Sequence, residues 1–298
     1  MSSSLTPVAN KDELLKAKQT AQSAVLAGLR GQKIGVLIPT IDQRIDISLT
    51  GALLQEQFIL SRFGIELYFM HQTDSLITRG RNFLIHAALK SPCDWFMWID
   101  SDIRFKAGSI MALLAEDKAL IGAGYPIKCL EPARIERAIE GGVDIQHVLK
   151  YATRNVISNF NARSMQGTTL DALEADNLGT GFMLSHRSVY EAIAPNLESR
   201  KCFVPGVSYT TYEDIEFYIP YFDCDLRQMV LFKDQPPVND YLSEDYYFCQ
   251  KAREAGITSY YLPSIELKHV GTHVYEGDYL RSIGLIYDAE KKKTPEQA

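Results

Sequence analysis

The hydrophobic pattern changes character at Lys33. Upstream, residues 11–29 (KDELLKAKQTAQSAVLAGL) have helix-forming composition, and Leu14, Leu15, Ala21, Ala24, Val25 and Leu29 form an apolar stripe. Gly28 and Gly31 supply stop signals. An isolated helix of this length is marginal in water, so the stripe is expected to dock on the rest of the chain or on a second subunit. Downstream, short apolar runs alternate with helix-like segments. KIGVLIPT (33–40), IELYFMHQ (65–72) and CDWFMWID (93–100) predict strands, and KALIGAGYPIK (118–128) contains a fourth. Residues 50–62 (TGALLQEQFILSR) predict a helix, as does the second half of TDSLITRGRNFLIHAALK. Strands alternating with helices imply βαβ units, hence an α/β fold with a mostly parallel sheet flanked by helices.

The pattern blurs into polar, irregular sequence over 130–175, the place expected for an acceptor-side loop region or small subdomain. NLGTGFML follows, then a helix from about Ser185 and a Tyr-rich stretch at 208–222. The helix SEDYYFCQKAREAG and a closing strand, IELKHVG, complete the pattern. No internal repeat and no low-complexity linker interrupts it.

Composition narrows the class. The 298 residues are 46% hydrophobic and 23% charged, ordinary for a globular protein with a sizeable core. The longest apolar runs, such as 96–99 and 181–184, are strand-sized and far short of a membrane span. The opening residues lack a basic region followed by an apolar stretch, so no secretory leader is read. Five cysteines, Cys93, Cys129, Cys202, Cys224 and Cys249, are odd in number and widely spaced, with no CxxC pair. Neither a zinc knuckle nor a disulfide framework is indicated, and a cytoplasmic setting is expected. With a formal charge of −6 and no Lys/Arg cluster, nucleic acid is disfavoured as an obligate partner.

Five segments carry candidate chemistry. In WIDSD, Asp100 and Asp102 emerge where the apolar run Trp95–Ile99 ends, with Ser101 between them. Ligands of open α/β sheets bind outside the carboxyl ends of strands. Two carboxylates there can share a divalent cation, Mg²⁺ or Mn²⁺, and a diphosphate; a solvated turn is the plain alternative. In SEDYYFCQKAREAG, Ser243 is a good N-cap and Gly256 a good stop, and acids in a first helical turn also complement the dipole. Helical phase puts Asp245 on the apolar side of Phe248, Cys249 and Ala252, facing core or cleft. Glu244 aligns with Tyr247 and Lys251 at its rim. A carboxylate at the position of Asp245 can take a proton from an acceptor hydroxyl. His269 follows an apolar strand and can complete a metal site, with His273 as competitor. In TDSLITRGRN, a helix starting near Thr78 aligns Arg79, Asn82 and His86, with Phe83, Leu84 and Ala87 inward. Arg79 or Arg81 can bind a diphosphate bidentately. Gly179 and Gly181 flank Thr180 and permit close approach of backbone to a ligand, or a turn into a buried strand.

In order, IPT (38–40), TRGRN, WIDSD, GTGFML, SEDYYFCQKAREAG and KHVGTH resemble the GT-A glycosyltransferases over roughly residues 33–280. WIDSD resembles that fold's DxD motif, SED its acidic catalytic motif, and His269 its C-terminal metal-binding histidine. RNFLIHAALKSPCDWFMWIDSDI also looks like the Anp1/Mnn9-type mannosyltransferases, whereas the SED helix and HVGT look more like the family-2 type, including phage and bacterial forms. The resemblance implies an N-terminal helical extension (1–32), a domain at 33–282 and a C-terminal tail (283–298). Within the domain it implies a Rossmann-like nucleotide-binding half (33–128) and an acceptor and catalytic half (129–282). It also implies that Pro39, Thr40 and Asp42 lie near base and ribose, that Asp100 meets ribose or metal, and that Asp102 and His269 hold Mn²⁺ or Mg²⁺. Asp245 would then be the base of an inverting displacement, with Glu244 beside it; the Anp1-like likeness argues instead for retention. The implied donor is a UDP- or GDP-sugar and the acceptor a glycan or other hydroxyl; modified DNA is possible as an acceptor but not favoured. Two rivals compete. A nucleotide-sugar-binding protein on the same fold would be marked by loss of Asp245 or the DxD, which this chain keeps. A nucleotidyltransferase would show a Gly-rich basic loop after the first strand, and IPTIDQRID has no glycine.

Overall fold

The structure is a computed structural model and describes residues 11–153, 171–204, 215–230 and 236–277, without the side chains of 11–15 and 17. Residues 208–214 of the Tyr-rich stretch, the tail at 283–298, part of the central irregular region (154–170) and the side chains of the expected stripe positions Leu14 and Leu15 lie outside that description.

In chain order the first half comprises α1 (Lys11–Gly28), β1 (Lys33–Thr40), α2 (Ile47–Ser61), β2 (Glu66–Thr73), α3 (Ile77–Lys90), β3 (Trp95–Ile99), β4 (Ile103–Phe105), α4 (Ser109–Leu114) and β5 (Leu120–Gly122). The second half holds α5 (Pro132–Glu140), β6 (Leu173–Ala175), β7 (Phe182–His186), α6 (Arg187–Leu197), β8 (Cys202–Phe203), β9 (Phe217–Tyr218), β10 (Asp225–Met229) and β11 (Val238–Leu242). It ends with α7 (Glu244–Glu254), β12 (Ser259–Tyr261), β13 (Leu267–Val270) and β14 (Val274–Glu276).

The central sheet has the order β2-β1-β3-β7-β5-β12-β6. Strands β2, β1, β3, β5 and β12 run one way, and β7 and β6 run against them. The architecture is the expected α/β one, a mostly parallel sheet flanked by helices. Its apolar strands read as unbroken runs because both faces are covered. Side chains alternate across the sheet. Ile34, Val36, Ile38, Trp95, Met97 and Ile99 pack with Leu49, Leu53 and Ile110 of α2 and α4 on one face. Leu37, Phe96 and Trp98 pack with Leu84, Tyr190 and Phe248 of α3, α6 and α7 on the other.

Several expectations need correction. The closing strand at IELKHVG does not join the central sheet; β13 pairs with β4 and β14 in a separate three-stranded sheet, and the late central strand is β12. The region at 130–175 is not wholly irregular: α5 and the turn at Val148–Tyr151 bury Ala138, Val143, Val148 and Tyr151 together. In α1, Ala21 and Ala24 are exposed, and Leu26 is the buried anchor, with Leu29 packed beside it. That helix docks on the domain: Lys18 Nζ meets Glu116 Oε1 at 3.0 Å and Asp171 Oδ1 at 2.9 Å, and Gln22 donates to Glu116 at 3.0 Å. All five cysteines are free thiols. Among the described residues no helix is long and apolar enough to cross a membrane.

Candidate active site

Arg81 of α3 links the carboxyl end of β3, at Asp100, to the start of α7, at Glu244, and the candidate residues distribute unevenly around it. Thr40 is buried and its Oγ1 lies 2.9 Å from Thr73 Oγ1. Asp42 stands apart, exposed in the following turn, where it accepts from the Arg44 backbone N–H at 3.2 Å. The acid of this loop that reaches the site's framework is Asp46. Its carboxylate caps α2 through Ser48 N at 2.9 Å and accepts from Arg104 Nε and Nη2, both at 2.8 Å. Its backbone N–H donates to Ser101 O at 3.1 Å. Asp46 thus grips the chain on both sides of Asp102.

The two arginines of α3 separate. Arg79 is taken up by Asp74, which accepts from its Nε and Nη2 at 2.7 Å each. Arg81 is buried and donates through Nη2 to Asp100 Oδ1 at 2.9 Å. Its Nε lies 3.7 Å from Glu244 Oε1, and among the described residues Nε and Nη1 have no hydrogen-bond partner. Asn82 faces inward, exchanging two hydrogen bonds with the Phe222 backbone (2.7 and 3.0 Å), so it does not share a polar face with Arg79. Ala88, rather than Ala87, is the fully buried alanine of that helix.

Around Arg81 stand three carboxylates, Asp100, Glu244 and Asp245. Asp245 Oδ1 accepts from Ser243 Oγ and from Tyr246 N. Burial pushes its carboxyl above the usual range against the opposing pull of Ser243 and Arg81, and Asp100 adds to the rise. Glu244 is raised by burial too; Arg81 opposes, and Asp245 reinforces. Glu244 itself is half-buried, with 17% of its side chain exposed. Tyr247, which shares its side of α7, is fully buried beneath the Arg200 and Lys251 cations, 5.3 and 5.2 Å from its ring centre.

Asp102 holds a second cluster. Its Oδ2 accepts from Lys128 Nζ at 2.5 Å, and its Oδ1 lies 3.3 Å from His269 Nε2. Burial alone would raise this carboxyl, but the hydrogen bonds of His269 and Lys128 outweigh it and hold the group below the usual range. His273 is exposed and stacks edge-on against Tyr275 instead. His269 Nδ1 lies 2.9 Å from Pro126 O, an atom that can only accept, so Nδ1 carries the proton. Nε2 is thereby turned on a carboxylate oxygen, and what bridges the two atoms is either a proton or a cation that both can hold. The 3.3 Å separation fits two adjacent ligands on a small divalent ion, about 3 Å apart for bonds near 2.1 Å. Asp100, expected as a third ligand, is engaged by Arg81. Among the described residues no group of three or more His, Cys, Asp or Glu side chains gathers to hold a metal.

Sequence reasoning missed Tyr125, a buried ring standing edge-on to His269 at 5.3 Å, whose hydroxyl accepts from Gly181 N at 3.3 Å. Burial, with Asp100 and Asp245 nearby, pushes its phenol well up, so it keeps its proton. Gly179 and Gly181 make room for this ring. A Cβ at Gly181 would come 2.7 Å from its carbons and 2.9 Å from Asp100 Oδ2, and one at Gly179 would come 2.7 Å from its hydroxyl oxygen. Thr180 between them is buried, with an Oγ1 that has no hydrogen-bond partner among the described residues. The paired glycines were the available signal for a bulky neighbour.

No family model matches the sequence, and no curated protein sequence matches it. Among solved structures the chain is similar to A197 from STIV, at TM-score 0.43 and 12% identity over 83% of this chain and 94% of that one. It is also similar to GalNAc-T7 with UDP, GalNAc and Mn2+, at TM-score 0.39 and 10% identity over 95% of this chain and 58% of that one. Likeness at this level identifies neither ligand nor chemistry.

Proposed function

We propose that the chain is a GT-A-type, metal-dependent glycosyltransferase that moves a sugar from a UDP- or GDP-sugar to an acceptor hydroxyl, inverting the anomeric centre. The observation that carries this is the gathering of Asp100, Glu244 and Asp245 about one buried arginine, beside Asp102, whose Oδ1 lies 3.3 Å from His269 Nε2. Such an excess of negative charge suits a ligand that brings cations and hydrogen-bond donors with it. A divalent ion on Asp102 and His269 would neutralise the leaving diphosphate. Arg81 has two N–H groups to offer an anionic oxygen, and Asp100, fixed by it, is placed to meet ribose or metal. Pro39, Thr40 and Asp42 would line the nucleotide side.

Asp245 is the base in this mechanism. Among the described residues both hydrogen bonds it accepts go to Oδ1, leaving Oδ2 for the acceptor hydroxyl. Its raised carboxyl brings proton affinity closer to that needed for general base catalysis near neutral pH. It takes the hydroxyl proton as that oxygen attacks the anomeric carbon from the face opposite the diphosphate. Asp245→Asn should lower transfer about 10²–10⁴-fold, with nucleotide affinity retained and Glu244→Gln less damaging. Transfer should rise with pH through the folded-state pKa of Asp245, and that limb should vanish in the variant. A larger loss in Glu244→Gln would make Glu244 the base. If neither variant slows transfer, single displacement fails, and a product of retained configuration by NMR would establish the double-displacement or front-side alternative.

A further inference from the structure

We propose that Lys128 is an internal competitor for the metal position on Asp102, and that it passes to the donor's diphosphate when a cation takes its place. This rests on the assignment of Asp102 and His269 as metal ligands. The two oxygens of one carboxylate are divided: His269 Nε2 stands 3.3 Å from Oδ1, while Lys128 Nζ sits 2.5 Å from Oδ2. An ammonium has only hydrogens to offer and cannot share a metal. While it stays, it withholds one oxygen and repels any divalent ion drawn to the other.

The lysine is placed by more than charge. A Cβ at Gly271 would come 3.3 Å from Lys128 Cδ and 3.6 Å from Cε, so the glycine of HVGT leaves a track for the lysine stem. The same short segment orients the partner ligand, because the Pro126 carbonyl holds His269 Nδ1 and the Tyr125 ring stands against its imidazole. One stretch, 125–128, therefore sets the direction of the histidine and occupies the aspartate. The Lys128 and Asp102 side chains are 38% and 37% exposed, and an ion pair that open to water is weakly held. Displacement is cheap, provided the freed ammonium finds another anion. A nucleoside diphosphate supplies one, and a charge-assisted hydrogen bond to phosphate suits a lysine. Cation and diphosphate binding are then linked through this side chain, each favouring the other.

Titration of Mn²⁺ alone into the full chain, followed by electron paramagnetic resonance, tests the competition. Lys128→Met keeps the stem and removes the charge, and should bind Mn²⁺ about three- to tenfold more tightly than wild type. Lys128→Arg should resemble wild type. At saturating Mn²⁺, UDP or GDP should bind Lys128→Met more weakly than wild type. Simple structural damage would not move the two affinities in opposite directions. Mn²⁺ affinity unchanged or weakened in Lys128→Met would overturn the proposal. If neither protein binds Mn²⁺ with or without nucleotide, while both unfold at the same temperature, the ligand assignment itself falls and takes the competition with it.

Discussion

A methyl group added at Gly181 would lie 2.7 Å from the Tyr125 ring carbons Cε1 and Cζ, and 2.9 Å from Asp100 Oδ2. One added at Gly179 would lie 2.7 Å from the Tyr125 hydroxyl oxygen, with ring carbons at 3.0 Å. The two glycines thus protect different parts of one side chain. Overpacking of this kind costs typically about 1–3 kcal/mol. Gly179→Ala and Gly181→Ala should each lower the unfolding midpoint. Tyr125→Phe, which removes only the oxygen, should restore part of the loss in Gly179→Ala and little in Gly181→Ala. Equal rescue of both, measured by denaturant unfolding, would contradict this placement of the ring. The motif GTG was visible in the sequence, but not what it made room for: Tyr125 lies more than fifty residues away and belongs to no pattern. Asp46 and Lys128 escaped for the same reason. Each is a single polar residue in a loop, brought to Asp102 only when β1, β3 and β13 come together.

At the scale of elements, the acids of WIDSD are held by their surroundings. The segment leaving β3 runs into β4, which pairs with β13, and Val270 N donates to Asp102 O at 2.8 Å. Asp46 closes the other side through Arg104 and Ser101. Losing a helix N-cap costs about 1 kcal/mol, and losing a bidentate ion pair adds to that. Asp46→Ala should therefore destabilise the chain by about 1–3 kcal/mol. In an Arg104→Ala background the same change should cost only the cap. A double-mutant cycle by thermal unfolding measures the coupling, and full additivity would show that the pair does not anchor the loop. Strands β1, β2 and β3 were legible because each carries an apolar run of at least four residues. Strands β4, β6 and β12 have three residues each and α5 has nine, too short for a period to stand out. Helical phase read the Glu244 side of α7 as the more polar one, yet Tyr247 on that side is fully buried beneath two cations.

For the whole molecule, the sheet sets where chemistry can happen. With β1 and β3 parallel and β7 reversed beside them, Asp100 at the end of β3 meets Gly181 at the start of β7; their backbones bond at 3.1 Å. The α7 helix, packed on the same face as α3, brings Glu244 and Asp245 to Arg81. The cluster is thus assembled from segments spread between residues 81 and 269. The most direct test is hydrolysis of UDP-, GDP- and dTDP-sugars by the full chain, with Mn²⁺ and with excess EDTA, for wild type and Asp102→Ala. The account predicts turnover of a UDP- or GDP-sugar by wild type with Mn²⁺, abolished by EDTA, and absent in an Asp102→Ala protein that unfolds at an unchanged temperature. Full activity in EDTA, or undiminished turnover by Asp102→Ala, would contradict it.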